Sequence, residues 1–272
     1  MKEYLKEMLD KKKALIAFNI QNLYQLNTLH AFSEINNVPV IAQFSAKYIS
    51  YFEKLYGFDF LIPKYKGTKF FFHLDHCLDE GIIKFCIDKG FSSVMYDGSS
   101  LPVETNSKNT NHIFKYASSK GCLLEAELGA ISGVEDGFGS EGGSAYYKPA
   151  ELVYFNENTS YNMLALAIGN SHGVYESVKD IQIEKLAEAV SLIGSKFFVL
   201  HGGTGMPEEM IQQSVKYGVV KINVSTALKI ETHKILKEFV AENKTYDELN
   251  FFKFYAEKIA PFYESYILKY TA

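Results

Sequence analysis

At 272 residues, 47% hydrophobic and 15% aromatic, the chain is long enough for one large core or two small ones and apolar enough to fill it. A net charge of −4 without any basic block argues against nucleic acid as a partner, and no run approaches the roughly 18 apolar residues of a membrane span, so no membrane is expected either. Arginine is absent, all 28 basic residues being lysine, which leaves no guanidinium fork to clamp a phosphate.

The first segment, MKEYLKEMLDKKKALIAF, has neither a long apolar run nor a small-residue cleavage site, so no signal peptide is expected. Eight short apolar runs follow, at 14–19, 38–44, 69–74, 93–97, 122–127, 163–169, 196–201 and 219–224. They read as near-continuous apolar strands, as a parallel sheet covered on both faces requires. Helical segments lie between them. Ile183, Leu186, Ala187, Val190 and Ile193 recur at helical spacing, with Asp180 placed to cap that helix and Gly194 to end it. Further on, Pro207, Glu208 and Glu209 open a helix that Gly218 closes. Strands alternating with helices predict an α/β fold, a (β/α)8 barrel covering 1–272 as one domain. The open doubly wound sheet would carry a G-x-G-x-x-G turn after its first strand, and Phe18-Asn19-Ile20-Gln21-Asn22 has nothing of the kind. Two stretches break the alternation. The Gly- and Ser-rich 132–147 is too long for an ordinary barrel loop and reads as a mobile lid. The tail 226–272 reads as a C-terminal extension of two helices joined near 243–247, packing outside the barrel or against another subunit. Cys77, Cys86 and Cys122 form no C-x-x-C pair, so a reduced, cytoplasmic setting is expected.

Chemistry of such barrels sits at the C-terminal strand ends. Here those ends carry His73-Leu74-Asp75-His76, Asp97, Glu125-Ala126-Glu127, His172-Gly173, His201-Gly202-Gly203 and Asn223, so acids and imidazoles from distant segments converge on one rim. Any one of these histidines alone is more simply a packed rim residue. Together, each at its own strand end, His76, His172 and His201 suit a zinc ion, which takes neutral imidazole and keeps a position open for substrate. His73 is expected to point away along its strand or to support the ligands from behind, and His30, His112 and His233 to be packing or surface residues. Asp75, an acid at the end of an apolar strand, would cost desolvation without a role. His201-Gly202-Gly203-Thr204-Gly205 runs from a strand into a helix N-terminus, where backbone amides can cradle a phosphate, with Asn223, Ser225 and Thr226 as further donors.

The ordered motifs His73-Leu74-Asp75-His76, Ser93-Val94-Met95-Tyr96-Asp97-Gly98-Ser99, Glu125-Ala126-Glu127-Leu128-Gly129, Glu135-Asp136-Gly137, Ile168-Gly169-Asn170-Ser171-His172-Gly173, His201-Gly202-Gly203-Thr204-Gly205 and Lys221-Ile222-Asn223 resemble those of the class II fructose- and tagatose-bisphosphate aldolases, from about residue 17 to 226. The resemblance implies a lyase joining dihydroxyacetone phosphate to an aldehyde, with fructose or tagatose 1,6-bisphosphate as the ketose, and a homodimer or homotetramer. It implies zinc on His76, His172 and His201, with Glu127 an acid near the metal that ligates it in a resting arrangement. Asp75 would exchange a proton with the aldehyde-derived oxygen, and Glu135 with the donor ketone. Gly173, Gly202, Thr204, Asn223, Ser225 and Thr226 would hold the donor phosphate, Asn19 and Ser45 the rest of the sugar, and Gly173 and Gly202 a monovalent cation, Na+ or K+.

Three departures bear on the substrate. Many relatives use an arginine for the distal phosphate and this chain has none. Glu176 stands where many carry lysine, and Asn223-Val224-Ser225-Thr226 lacks the acid that many fructose-bisphosphate enzymes have after the strand, resembling tagatose-type relatives with a small residue. An aldehyde without phosphate is therefore the alternative acceptor. Other chemistries on the same barrel are a Schiff base at Lys221, a metal-dependent hydrolase, and a non-catalytic binding role.

Overall fold

A computed structural model describes all residues except 66, 68, 136–137, 141–145, 174–177, 243–246 and 272, with backbone alone at 134–135 and 138–140. In chain order the strands are β1 (Leu15–Asn19), β2 (Val40–Ser45), β3 (Phe70–Asp75), β4 (Ser93–Tyr96), β5 (Leu123–Leu128), β6 (Gly133–Glu135), β7 (Phe138–Ser140), β8 (Met163–Leu166), β9 (Phe197–Leu200) and β10 (Val219–Val224). The helices are α1 (Lys2–Lys11), α2 (Leu23–Asn36), α3 (Ala46–Leu55), α4 (Phe58–Tyr65), α5 (Glu80–Lys89), α6 (Val103–Ser119), α7 (Pro149–Asn158), α8 (Glu184–Ile193), α9 (Glu208–Lys216), α10 (Thr226–Glu242) and α11 (Glu248–Tyr270). All strands but β6 and β7 pair in parallel and close on themselves in the order β1-β2-β3-β4-β5-β8-β9-β10, a (β/α)8 barrel. Each expected strand is present, its ends shifted by no more than three residues.

Period-2 alternation decides what each strand presents. Ile16, Phe18, Val40, Ala42, Phe44, Phe70, Phe72 and Leu74 face outward into the main apolar layer beneath the helices. Leu15, Ala17, Ile41, Phe71, Leu123, Met163, Ala165 and Val199 face inward and form the barrel floor, sealed from below by Leu5 and Met8 of α1. Above that floor the interior turns polar: Gln43, His73, Ser93, Glu125 and Lys221 are all fully buried. Barrels of this kind ordinarily fill that layer with branched apolar side chains, so the departure marks the interior as serving the rim. The register sets Ser45 beside Asp75 and Ala17 beside Asn223, which brings the strand ends to a common height.

The structure bears on three local expectations and overturns one, the Asp180 cap. Within 132–147 the backbone makes an antiparallel hairpin, β6 with β7, and the loop's two ends are tied to the segment after β8 through bridges Ser132–Ser171 and Tyr146–Ile168. Asp180 does not cap α8: Ile183 occupies the cap position, and the Asp180 carbonyl accepts from the Tyr146 hydroxyl. Gly194 does end that helix, at φ 74°. Finally, α11 packs back over the start of the barrel, Phe18 lying edge-on to Tyr263 at 5.2 Å while Thr271 donates to the Ala14 carbonyl at 2.7 Å.

Candidate active site

His76, His172 and His201 meet at the C-terminal mouth of the barrel, each offering a ring nitrogen within 4.8 Å of the others. Ring centroids are 4.6 Å apart for His76 and His201, 4.8 Å for His76 and His172, and 6.0 Å for His172 and His201. His76 reaches the mouth because the chain turns inward just after β3, with φ +36°, a left-handed conformation rare for a side chain of this size. His172 is held by the neighbouring loop: its amide donates to the Ser132 carbonyl at 2.9 Å. Gly133 lets that approach happen, since a Cβ there would lie 2.8 Å from the His172 carbonyl oxygen. Asn170 fixes the same segment to the end of β9, donating to the His201 carbonyl at 3.0 Å.

The ring nitrogens are sorted by carboxylates. His76 Nδ1 lies 2.8 Å from Asp97 Oδ2, and His201 Nε2 lies 2.8 Å from Glu125 Oε1. If each carboxylate takes an N–H, the other two nitrogens, His76 Nε2 and His201 Nδ1, turn lone pairs toward each other at 2.8 Å. Two acceptors at that distance need a proton or a cation between them. A second group overlaps the first: His76, Asp97 and Glu127 also offer atoms within 4.8 Å of one another, and the buried Glu127 Oε2 has no hydrogen-bond partner among the described residues. The donor set thus fits a divalent cation, with Asp97 and Glu125 as outer supports that fix the imidazoles.

Burial works against charge on His76, but Asp75 and Asp97 outweigh it and raise its pKa well above the ordinary value. His201 goes the other way, its neutral form favoured by burial and by the neighbouring His76. The same His76 holds Asp97 far below the usual carboxylate range against the opposing effect of burial. Burial, reinforced by Asp97, pushes Glu127 well up.

Asp75 sits in a cage of amides. Its Oδ2 accepts from Asn19 at 2.9 Å and from Gln43 at 3.2 Å, and its Oδ1 accepts from Asn223 at 3.1 Å. Burial alone would raise its pKa; His76, His201, Lys221 and the Asn19 hydrogen bond overcome that and keep it lowered. A buried, oriented carboxylate beside the imidazole cluster is suited to take a proton.

Beside the cluster, the loop after β9 meets the start of α10: Thr204 Oγ1 accepts from the Ala227 amide at 3.1 Å. Gly203 passes close to β10, where a Cβ would lie 3.0 Å from Ile222 Cγ2. Ser225 is buried, and its Oγ has no partner among the described residues. A buried hydroxyl next to a helix N-terminus is placed where it could donate to an anionic oxygen. Gly202 lies in the same loop, Thr226 opens α10, and Gly173 follows His172 at φ +99°.

The described residues therefore bring together His76, His172, His201, Glu127, Asp75, Asn19 and Asn223, with Ser45 beside Asp75 in register. Asn223 is already engaged, donating to Asp75 and accepting from Lys221 at 2.7 Å, so its expected role as a phosphate donor needs it to exchange partners. Glu135 ends β6, but its side chain, like residue 176 as a whole, lies outside what is described. His73 does not point away: it faces the interior with Asp75, one layer below, 2.7 Å from Ser93 Oγ. His112 is exposed against Glu80, as expected of a surface residue. Lys221 offers no free amine for a Schiff base, being fully buried and bonded to Glu125 and Asn223. Gln43 received no role from sequence, Asp97 and Glu125 only a place among the rim acids, and Lys221 only the Schiff-base alternative. Their signal was there in the alternation, since polar residues on the inward phase of an apolar strand have nowhere to go but the interior.

The sequence profile of the family "Fructose-bisphosphate aldolase class-II" matches residues 1–270. The fructose-bisphosphate aldolase of Geobacillus stearothermophilus is 36% identical over 254 residues, covering 89% of this chain and 86% of its own. That of Streptococcus pneumoniae serotype 4 is 34% identical over 266 residues, covering 92% and 88%. Among solved structures, the YdjI aldolase of Escherichia coli K12 shares the fold with a TM-score of 0.83 at 23% identity, covering 99% of this chain and 95% of the other. The chain belongs to the class II fructose-bisphosphate aldolase family and is an aldolase.

Proposed function

We propose that the enzyme is zinc-dependent and makes or breaks a ketose phosphate from dihydroxyacetone phosphate and an aldehyde, with fructose or tagatose 1,6-bisphosphate as its ketose. The observation that carries this is the pair of inward-facing nitrogens, His76 Nε2 and His201 Nδ1, 2.8 Å apart and backed by carboxylates, with His172 alongside. Zinc favours such neutral imidazoles, and when bound it would withdraw electron density from the ketose carbonyl, which is what a breaking carbon–carbon bond needs.

The other work falls to the chain. Asp75, oriented by Asn19, Gln43 and Asn223, takes the proton of the hydroxyl on carbon 4 as the bond from carbon 3 to carbon 4 breaks. Glu135, from the hairpin, is the candidate to return a proton to carbon 3. Glu127, with its unpartnered oxygen, is the acid a resting ion would meet. Gly173, Gly202, Thr204, Ser225 and Thr226 form the donor-phosphate pocket with Asn223, while Asn19 and Ser45 contact the sugar. A Na+ or K+ ion at Gly173 and Gly202, a homodimer or homotetramer, one domain over 1–272 with 226–272 as a helical extension, and a cytoplasmic setting belong to the same proposal.

One observation favours a second acceptor class: with no arginine in the chain, the far end of the sugar lacks a bidentate phosphate clamp, which an aldehyde without phosphate would not require. Zinc-loaded protein is to be tested on fructose 1,6-bisphosphate, tagatose 1,6-bisphosphate and ketose 1-phosphates. Cleavage that survives borohydride but stops on chelation is expected; full turnover by metal-stripped protein overturns the proposal.

A further inference from the structure

Below the histidines, Lys221 Nζ donates to Glu125 Oε2 at 3.0 Å and to Asn223 Oδ1 at 2.7 Å, and all three residues are buried. Each of these two partners touches the chemistry. Glu125 turns its other oxygen to His201 Nε2 at 2.8 Å, and Asn223 turns its amide nitrogen to Asp75 Oδ1 at 3.1 Å. An ammonium can only donate and a carboxylate can only accept, whereas an amide or imidazole can do either according to how it is turned. Lys221 as donor and the carboxylates Glu125 and Asp75 as acceptors are therefore fixed in direction at every contact, and Asn223 and His201 are the members that must turn to suit them. Facing it, Asn223 must present oxygen, which leaves nitrogen for Asp75. Glu125 must accept from both sides, which requires His201 to carry its proton on Nε2 and leaves the Nδ1 lone pair facing His76.

We propose that the buried Lys221–Glu125 pair is a positioning unit, Glu125 setting the tautomer of His201 and Lys221, through Asn223, the amide orientation that holds Asp75. The inference rests on His201 being a metal ligand. It explains why a barrel interior that could be apolar carries a fully buried ion pair, which is costly to desolvate and weak as a source of stability.

Replacing Glu125 by Gln separates this role from simple packing. Beside the Lys221 ammonium, a glutamine must turn its oxygen to the lysine and its NH2 to His201 Nε2, which then becomes an acceptor; the proton moves to Nδ1 and blocks the metal-facing lone pair. E125Q is expected to lose roughly 10–100-fold in zinc affinity, the range for an outer-shell partner of a ligand. Adding K221M frees that glutamine to turn round, so E125Q/K221M should regain most of the loss. Chelator competition gives the affinities, and nitrogen-15 NMR of the metal-free imidazoles gives the tautomer: the Nε2–H form for His201 in the wild type, the Nδ1–H form in E125Q. Unchanged affinity in E125Q, a further loss in the double variant, or an Nδ1–H signal in the wild type, which needs no variant to fold, overturns the proposal. None of these readouts depends on turnover: wild-type protein that binds zinc with this pattern yet cleaves no ketose phosphate would refute the substrate assignment and leave the positioning role standing.

Discussion

His76 and His201 face each other nitrogen to nitrogen at 2.8 Å, and behind each ring a carboxylate, Asp97 or Glu125, holds the opposite nitrogen at the same distance. The pairing turns two imidazoles from separate strands into a preset pair of ring nitrogens, with His172 closing the third side. Preset geometry of this kind lowers the reorganisation needed when a cation arrives.

Removal of a ligand should therefore cost more than removal of a support. H172A and H76A are each expected to lose more zinc affinity than the roughly 10–100-fold of an outer-shell change, measured by competition with a chromogenic chelator. Retention of wild-type affinity in H172A would remove that residue from the site.

Asp75 lies among amide donors rather than metal-facing nitrogens. D75N should lower kcat by about 100- to 10,000-fold, the usual range for losing a general acid or base, while bound zinc stays at the wild-type level. Loss of zinc together with activity would mean that Asp75 supports the metal instead.

The open hydroxyl of Ser225 separates binding from stability. S225A removes a buried polar atom that has no partner, so the melting temperature should hold or rise slightly, whereas KM for dihydroxyacetone phosphate should rise about 10-fold, or ~1.4 kcal/mol, for one lost hydrogen bond to a charged group. An unchanged KM would place the phosphate elsewhere.

Much of this could be read from sequence, and what could not has a physical reason. The strands were legible because strands buried on both faces are apolar almost throughout, and the three histidines because His76 and His201 directly follow β3 and β9 and His172 lies in the loop after β8. The hairpin β6–β7 was not, since Gly, Ser and acid residues carry no strand propensity and the pairing is local. Lys221 and Glu125 read as rim residues beside Asn223 and Glu127, and the register, which sets Lys221 level with Val199 and Glu125 level with Met163, places them one layer deeper. Asp180 looked like a cap by residue type, but the tertiary contact with Tyr146 engages its carbonyl and the helix begins four residues later.

Buried thiols set an alkaline limit. Burial pushes Cys77 from 9.0 up to about 11 and Cys122 up to about 12. Each favours the neutral folded form, so its contribution is complete below the unfolded value near 9 and is lost as pH climbs through the folded values. Melting temperature should fall between pH 9 and 11, with iodoacetamide leaving the native thiols unmodified at pH 8; rapid alkylation at pH 8 would contradict the burial.

Leu5 of α1 is fully buried against the barrel floor. L5A should cost about 2–5 kcal/mol in chemical denaturation, the range for a buried leucine truncated to alanine. A cost under ~1 kcal/mol would show that the floor closes without it.

The most direct test of the central claim is X-ray absorption at the zinc edge on protein loaded with one equivalent of metal. Three imidazole nitrogens at about 2.0–2.1 Å, with multiple-scattering signatures that diminish in H172A, are the predicted result. A shell of oxygen donors alone, or a spectrum that H172A leaves unchanged, would contradict it.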